Sequence, residues 1–107
     1  MDDFDRAIAD FTLAISLNPG FAGAYYYRGV AYASQGDYQR AIADLSQAIA
    51  LAPEFIGAYF MRGHAYIEIE DYSRAVADYD WVIEHNPYHA AAYNNRCWSY
   101  FKMGEYK

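Results

Sequence analysis

Apolar residues recur along this chain at three- and four-residue spacing, in short runs broken by Pro, Gly or acidic positions. Tyr25, Gly29 and Tyr32 mark one face of a first helical segment, and Ala41, Leu45 and Ala48 mark one face of the next. Gly36-Asp37 interrupts this pair of segments and Glu70-Asp71 interrupts the pair that follows. Each second segment stops before a proline, which pushes the preceding residue out of helical geometry. The pattern predicts an all-α chain of six helices at 4–17, 22–35, 38–51, 56–69, 72–85 and 90–103.

The pattern repeats. Pro19, Pro53 and Pro87 stand 34 residues apart, and AYYYRGVAYASQGDYQRAIADLSQAIALAP overlays AYFMRGHAYIEIEDYSRAVADYDWVIEHNP without a gap. AAYNNRCWSYFKMGEYK starts a third copy, and the leading DFDRAIADFTLAISLNP matches only the second half of a unit. A fixed period of this length belongs to solenoids, in which each unit buries its apolar face only against its neighbours. Gly29 and Gly63, with Ala41 and Ala75, remove bulk where antiparallel helices approach, and aromatic rings fill the wider gaps.

These residues resemble the tetratricopeptide repeat family. The matching positions are Tyr25, Gly29, Tyr32, Ala41, Leu45, Ala48 and Pro53 in the first full unit, and Tyr59, Gly63, Tyr66, Ala75, Tyr79 and Pro87 in the second. Departures are Val82 for a small Ala, Cys97 for the third Gly, and Arg28, Arg62 and Arg96 where Leu is frequent. The resemblance implies a right-handed superhelical solenoid of helix-turn-helix hairpins forming a single domain. Its parts are a helix B at 1–19, full repeats at 20–53 and 54–87, and a helix A at 88–107, as expected of a piece of a longer array. A pentatricopeptide reading, which would imply RNA binding, is disfavoured by the strict period and the acidic balance.

The family's first helices line a concave groove that takes a peptide or helix of a partner protein, so the resemblance implies a protein-interaction scaffold and no enzyme. Carried over, the groove consists of Tyr26, Val30, Phe60, His64, Ile67, Glu68, Asn94, Trp98 and Phe101, with no cofactor. Tyr26, Val30, Phe60 and Trp98 also lie off the packing stripe, so their bulk has no purpose inside a hairpin. Packing of one helix A against the next is the alternative use for them. Where relatives clamp a chaperone's terminal carboxylate with Lys, Asn and Arg, this chain has Tyr26, Val30, Met61, Ala91 and Asn95, so charge-assisted recognition of a carboxylate is not expected. The alternatives to groove binding are a self-assembly element or a regulatory array attached to an enzyme domain.

Composition narrows the chemistry. The 55% hydrophobic content is ample for a core, and 13 Tyr against 6 Phe and 2 Trp point to half-exposed rings whose hydroxyls meet water. A net charge of −6 opposes binding to nucleic acid or an anionic membrane. No apolar run reaches the roughly 20 residues of a membrane span, and the first ten residues carry acids where a signal peptide needs bases. One cysteine excludes an internal disulfide and fits an intracellular, cytoplasmic setting. His64 and Glu68 lie one turn apart but lack a third ligand, and His85 and His89 flank Pro87 without a Cys partner, so no metal site is expected. Cys97 replaces the crossing glycine and is expected to be buried and unreactive.

Two further expectations come from the period. Arg28, Arg62 and Arg96 recur with Asp10, Asp44 and Asp78, and pairing each Arg with the previous unit (Arg28–Asp10, Arg62–Asp44, Arg96–Asp78) leaves none unpartnered. The first helix lacks its partner helix A, and MGEYK reads as the opening of a further helix B, so head-to-tail association of copies is expected.

Overall fold

The computed structural model describes residues 2–105, and all six elements are α-helices: α1 (Asp3–Leu17), α2 (Ala22–Ser34), α3 (Tyr38–Leu51), α4 (Ile56–Glu68), α5 (Tyr72–His85) and α6 (Ala90–Glu105). Asp2, Asp37 and Asp71 open α1, α3 and α5, each accepting a hydrogen bond from the backbone N–H three residues on, at 2.7, 3.3 and 3.3 Å. The helices α2 and α4 start instead after Phe21 and Phe55, without a side-chain cap. Each helix packs mainly on its neighbours in sequence, with lighter contacts from α2 to α4 and from α4 to α6. The result is a linear array of hairpins, 45 × 29 × 19 Å.

Two core clusters repeat along it. Ala41, Leu45 and Ala48 of α3 pack with Ala58 of α4, and Ala75, Tyr79 and Val82 of α5 pack with Ala92 of α6. A Cβ added at Gly29 would lie 3.0 Å from Leu45 Cγ, and one at Gly63 would lie 2.9 Å from Tyr79 Cζ. The small residues are therefore set by the approach of helices inside each hairpin.

The arginine ladder exists in a different register from the one expected. Arg28 grips Asp44 with Nε and Nη2 at 2.7 and 2.8 Å, and Arg62 grips Asp78 at 2.9 and 2.7 Å. Each aspartate belongs to the same hairpin as its arginine, because the antiparallel partner helix brings it opposite. The previous unit contributes Thr12 to Arg28, Ser46 to Arg62 and Asp80 to Arg96, at 3.2, 3.1 and 2.8 Å. The pairs Arg28–Asp10, Arg62–Asp44 and Arg96–Asp78 do not form.

Two other expectations are corrected. Cys97 is exposed: among the described residues no helix lies against α6 as α3 lies against α2 and α5 against α4. Met103, Gly104 and Glu105 continue α6 and do not turn away from it, so α6 ends beyond the expected residue 103. Tyr106 and Lys107, read from sequence as part of a further helix, lie outside the described residues.

Candidate functional site

The period puts Tyr26, Phe60 and Asn94 at equivalent places on α2, α4 and α6, and what each touches divides the nine sequence-derived residues into two groups. Tyr26 stacks on Phe55 at 4.7 Å, meets Tyr27 edge-on at 5.0 Å, and sits beside Gly57. Phe60 repeats this one unit later, lying 4.8 Å from His89 and edge-on to Tyr79 at 5.8 Å. Both rings thus join a first helix to the connection that leads into the next first helix. Ile67 packs on the second core cluster and Val30 is half-buried. Burial raises the Tyr26 hydroxyl above its ordinary pKa, reinforced by the adjacent Tyr27.

The second group faces solvent. Asn94, Trp98 and Phe101 line a shallow depression of about 400 Å³ on α6 together with Asn95 and Cys97. Trp98 and Phe101 are 49% and 59% exposed, with ring centroids 5.8 Å apart, and the Lys102 ammonium lies 5.5 Å from the Trp98 ring. One turn apart on α4, His64 Nε2 and Glu68 Oε1 lie 3.8 Å from each other. Among the described residues, no group of three or more His, Cys, Asp or Glu could hold a metal ion. No helix there is long and apolar enough to cross a membrane.

A recess of about 560 Å³ lies at the α3–α4 connection, lined by Ala52, Pro53, Glu54 and Phe55. Sequence reasoning missed it. The available signal was the 34-residue recurrence of Phe21, Phe55 and His89, the last two being the residues on which Tyr26 and Phe60 stack.

Polar groups elsewhere are held in place. The Asn95 amide donates to the Tyr79 hydroxyl at 3.3 Å, and burial pushes that hydroxyl up to about 12 despite this bond. Burial also raises the Asp78 carboxyl, against the Arg62 hydrogen bonds that pull it down, and the same bonds raise the Arg62 guanidinium.

Solved structures share this architecture. The first TPR of Spaghetti (RPAP3) bound to HSP90 peptide SRMEEVD is 26% identical with a TM-score of 0.92, the match covering 94% of this chain and 80% of that one. The second TPR domain of the human RPAP3 protein in complex with HSP70 peptide SGPTIEEVD is 26% identical, TM-score 0.86, over 90% of this chain and 80% of that one. MamA is 29% identical, TM-score 0.91; the match covers 94% of this chain but only 55% of the MamA chain. No curated protein matches the sequence. Tetratricopeptide repeat profiles match residues 22–55 and 60–107. With hairpins, crossing glycines and period in agreement, the chain belongs to the tetratricopeptide repeat family.

Proposed function

We propose that this chain is a protein-interaction module whose first-helix face, α2, α4 and α6, binds a peptide or helix of a partner protein mainly through the α6 end. The observation that carries this reading is the exposed pair Trp98 and Phe101, whose rings border a depression on α6. Large rings left in solvent lose the burial that would otherwise offset their hydration, and such clustered anchors are where binding energy concentrates. Asn94 adds an amide for backbone hydrogen bonds, and His64 and Glu68 extend the surface onto α4. Tyr26, Phe60 and Ile67, which pack against the two core clusters, then act as the floor together with the half-buried Val30.

The ligand class follows from charge. The neighbours above bind peptides ending in EEVD. This chain carries Tyr26, Val30, Met61, Ala91 and Asn95 where relatives place the carboxylate clamp, and its net charge is −6. An acidic tail would lose its hydration without gaining a charge-assisted bond. An apolar or aromatic segment suits the surface better.

The test is to select a random peptide library on the chain, with a synthetic peptide ending in EEVD as comparison. The expected binders are rich in apolar and aromatic residues and insensitive to amidation of their C-terminus. Trp98→Ala should weaken them roughly 30-fold or more, as for a central aromatic anchor. Selection of acidic peptides that need a free carboxylate, or indifference to Trp98→Ala and Phe101→Ala alike, would refute the reading.

A further inference from the structure

We infer that the recess at the α3–α4 connection is a second docking site, which takes a basic segment of a partner protein, a Lys or Arg stem lying over Pro53 and Phe55 and its charge meeting Glu54. The inference is independent of the first-helix face and uses neither Trp98 nor Phe101.

The three connections between hairpins follow one backbone course and differ in side chains. Asn18, Ala52 and Asn86 occupy equivalent places, with φ −144°, −138° and −143° and ψ 87°, 84° and 86°. At Asn18 and Asn86 the side-chain oxygen accepts the backbone N–H of Gly20 or Tyr88, at 3.3 and 3.2 Å. Ala52 has no such oxygen, and the Glu54 N–H has no hydrogen-bond partner among the described residues. Of the three, the middle connection thus leaves a backbone donor open beside an apolar recess of about 560 Å³.

The walls of the recess are fixed by contacts outside it. Phe55 stacks on Tyr26 at 4.7 Å, the Tyr59 hydroxyl donates to the Pro53 carbonyl at 3.2 Å, and the Phe55 N–H closes the turn on the Ala52 carbonyl at 3.0 Å. A surface already held in shape loses little freedom when a ligand fills it.

Charge complementarity selects the occupant. Glu54 lines the recess, is exposed, and forms no ion pair among the described residues. No Lys or Arg lies between Arg40 and Arg62 in the sequence. The last turn of α3, which ends here, carries no basic residue, so its terminal carbonyls add to the negative potential. A Lys or Arg side chain answers both needs, because its methylene stem covers apolar surface while its charged head stays at the rim. The volume has room for an apolar neighbour as well. A backbone carbonyl of the bound segment can then accept the Glu54 N–H, as the asparagine oxygen does in the other two connections. An acidic segment would instead set its carboxylate against Glu54 with no cation between them.

The probes are short synthetic peptides of Lys, Leu and Gly, and matched peptides with Glu for Lys, titrated into the full chain and followed by the Glu54 and Phe55 amide resonances. The lysine peptides should shift these resonances and the glutamate peptides should not. Glu54→Gln is expected to weaken the lysine peptides roughly three- to tenfold, as for a charge at the rim of an interface. Ala52→Asn should weaken them similarly, because the new side chain claims the Glu54 N–H; the matching φ and ψ at Asn18 and Asn86 mean that the fold accepts it. Glu70→Gln, which removes the same charge beyond the opposite end of α4, and Trp98→Ala should leave the Glu54 titration unchanged, so failure at the first-helix face is read separately. Resonances that do not move, an equal response to the glutamate peptides, or affinity unaltered by Glu54→Gln or by Ala52→Asn would overturn the inference. So would an equal loss in Glu70→Gln.

Discussion

The two complete hairpins, 22–51 and 56–85, share a backbone plan and reach it with different side chains. The first crosses on Gly29 over Leu45 with Ala48 below, whereas the second crosses on Gly63 over Tyr79 with Val82 below. The first turns at Gly36 with φ 81°, and the second makes the same left-handed turn at Glu70 with φ 63°. Larger side chains in the second hairpin are absorbed outward: Tyr79 reaches Asn95 of α6, and Trp81 stacks between Tyr59 and His85 at 3.7 Å on either side. The lesson is that the crossing glycine and the arginine bridge define the hairpin, while the volume beneath them can be redistributed toward the next unit.

The largest effect expected from breaking the comparison is at the bridge. Asp78→Ala strands Arg62, whose side chain is 20% exposed and flanked by the Tyr59 and Tyr66 rings. Removing one partner of so enclosed a pair costs about 3–5 kcal/mol. Asp44→Ala should cost a similar amount, because the Arg28 side chain is 19% exposed and lies over the Tyr25 ring. Urea unfolding of the two variants measures both losses. Adding Arg62→Met to Asp78→Ala should recover part of the loss, and no recovery would show that the aspartate acts through something other than its arginine.

A smaller effect separates Tyr79 from Leu45. Burial raises the Tyr79 hydroxyl from 10.0 to about 12, so the folded chain holds that proton more tightly than the unfolded chain does. The associated stability is complete below pH 10 and is lost as pH climbs toward 12. Two units correspond to about 3 kcal/mol. Tyr79→Phe removes this dependence while forfeiting the Asn95 bond, at about 1 kcal/mol near neutral pH. Its unfolding free energy should therefore fall less steeply than wild type between pH 10 and 12. Parallel curves would mean that the Tyr79 proton is not linked to folding.

Helix positions and period were legible in the sequence because the 34-residue overlay fixes which residues are equivalent. The rotational phase of the arginines was not. Asp44 and Ser46 lie two residues apart, about 200° around α3, and the period alone does not tell which of them faces the same hairpin's arginine and which the next. Buried Ala24, Ala31, Ala58 and Ala65 also escaped notice, since small residues carry no hydropathy contrast even when they recur. At the candidate site, Trp98 and Phe101 are exposed rings, whereas the packing of Tyr26 and Phe60 depends on Phe55 and His89 in connections that no helical stripe reveals.

Gly104 gives the clearest case of packing overriding local preference. It occupies the place of Gly36 and is the better turn former than Glu70, yet it remains helical while Glu70 turns. At both true turns the bond pattern is the same: the residue 36 or 70 N–H reaches Ala33 or Ile67 at 2.9 Å, and Asp37 or Asp71 N–H reaches Tyr32 or Tyr66 at 2.9 Å. Each of these turns leads into a docked helix, α3 or α5, and Glu70 bears a left-handed conformation that costs a side-chain-bearing residue roughly 1–2 kcal/mol. Glycine relieves it but has more freedom to lose on folding. Glu70→Gly should therefore stabilise the chain by about 1 kcal/mol, and Gly36→Glu should destabilise it by about as much. Both shifts should appear as opposite changes in urea midpoint with the slope of the transition unchanged. If neither midpoint moves, the left-handed conformation at Glu70 carries no strain that glycine relieves.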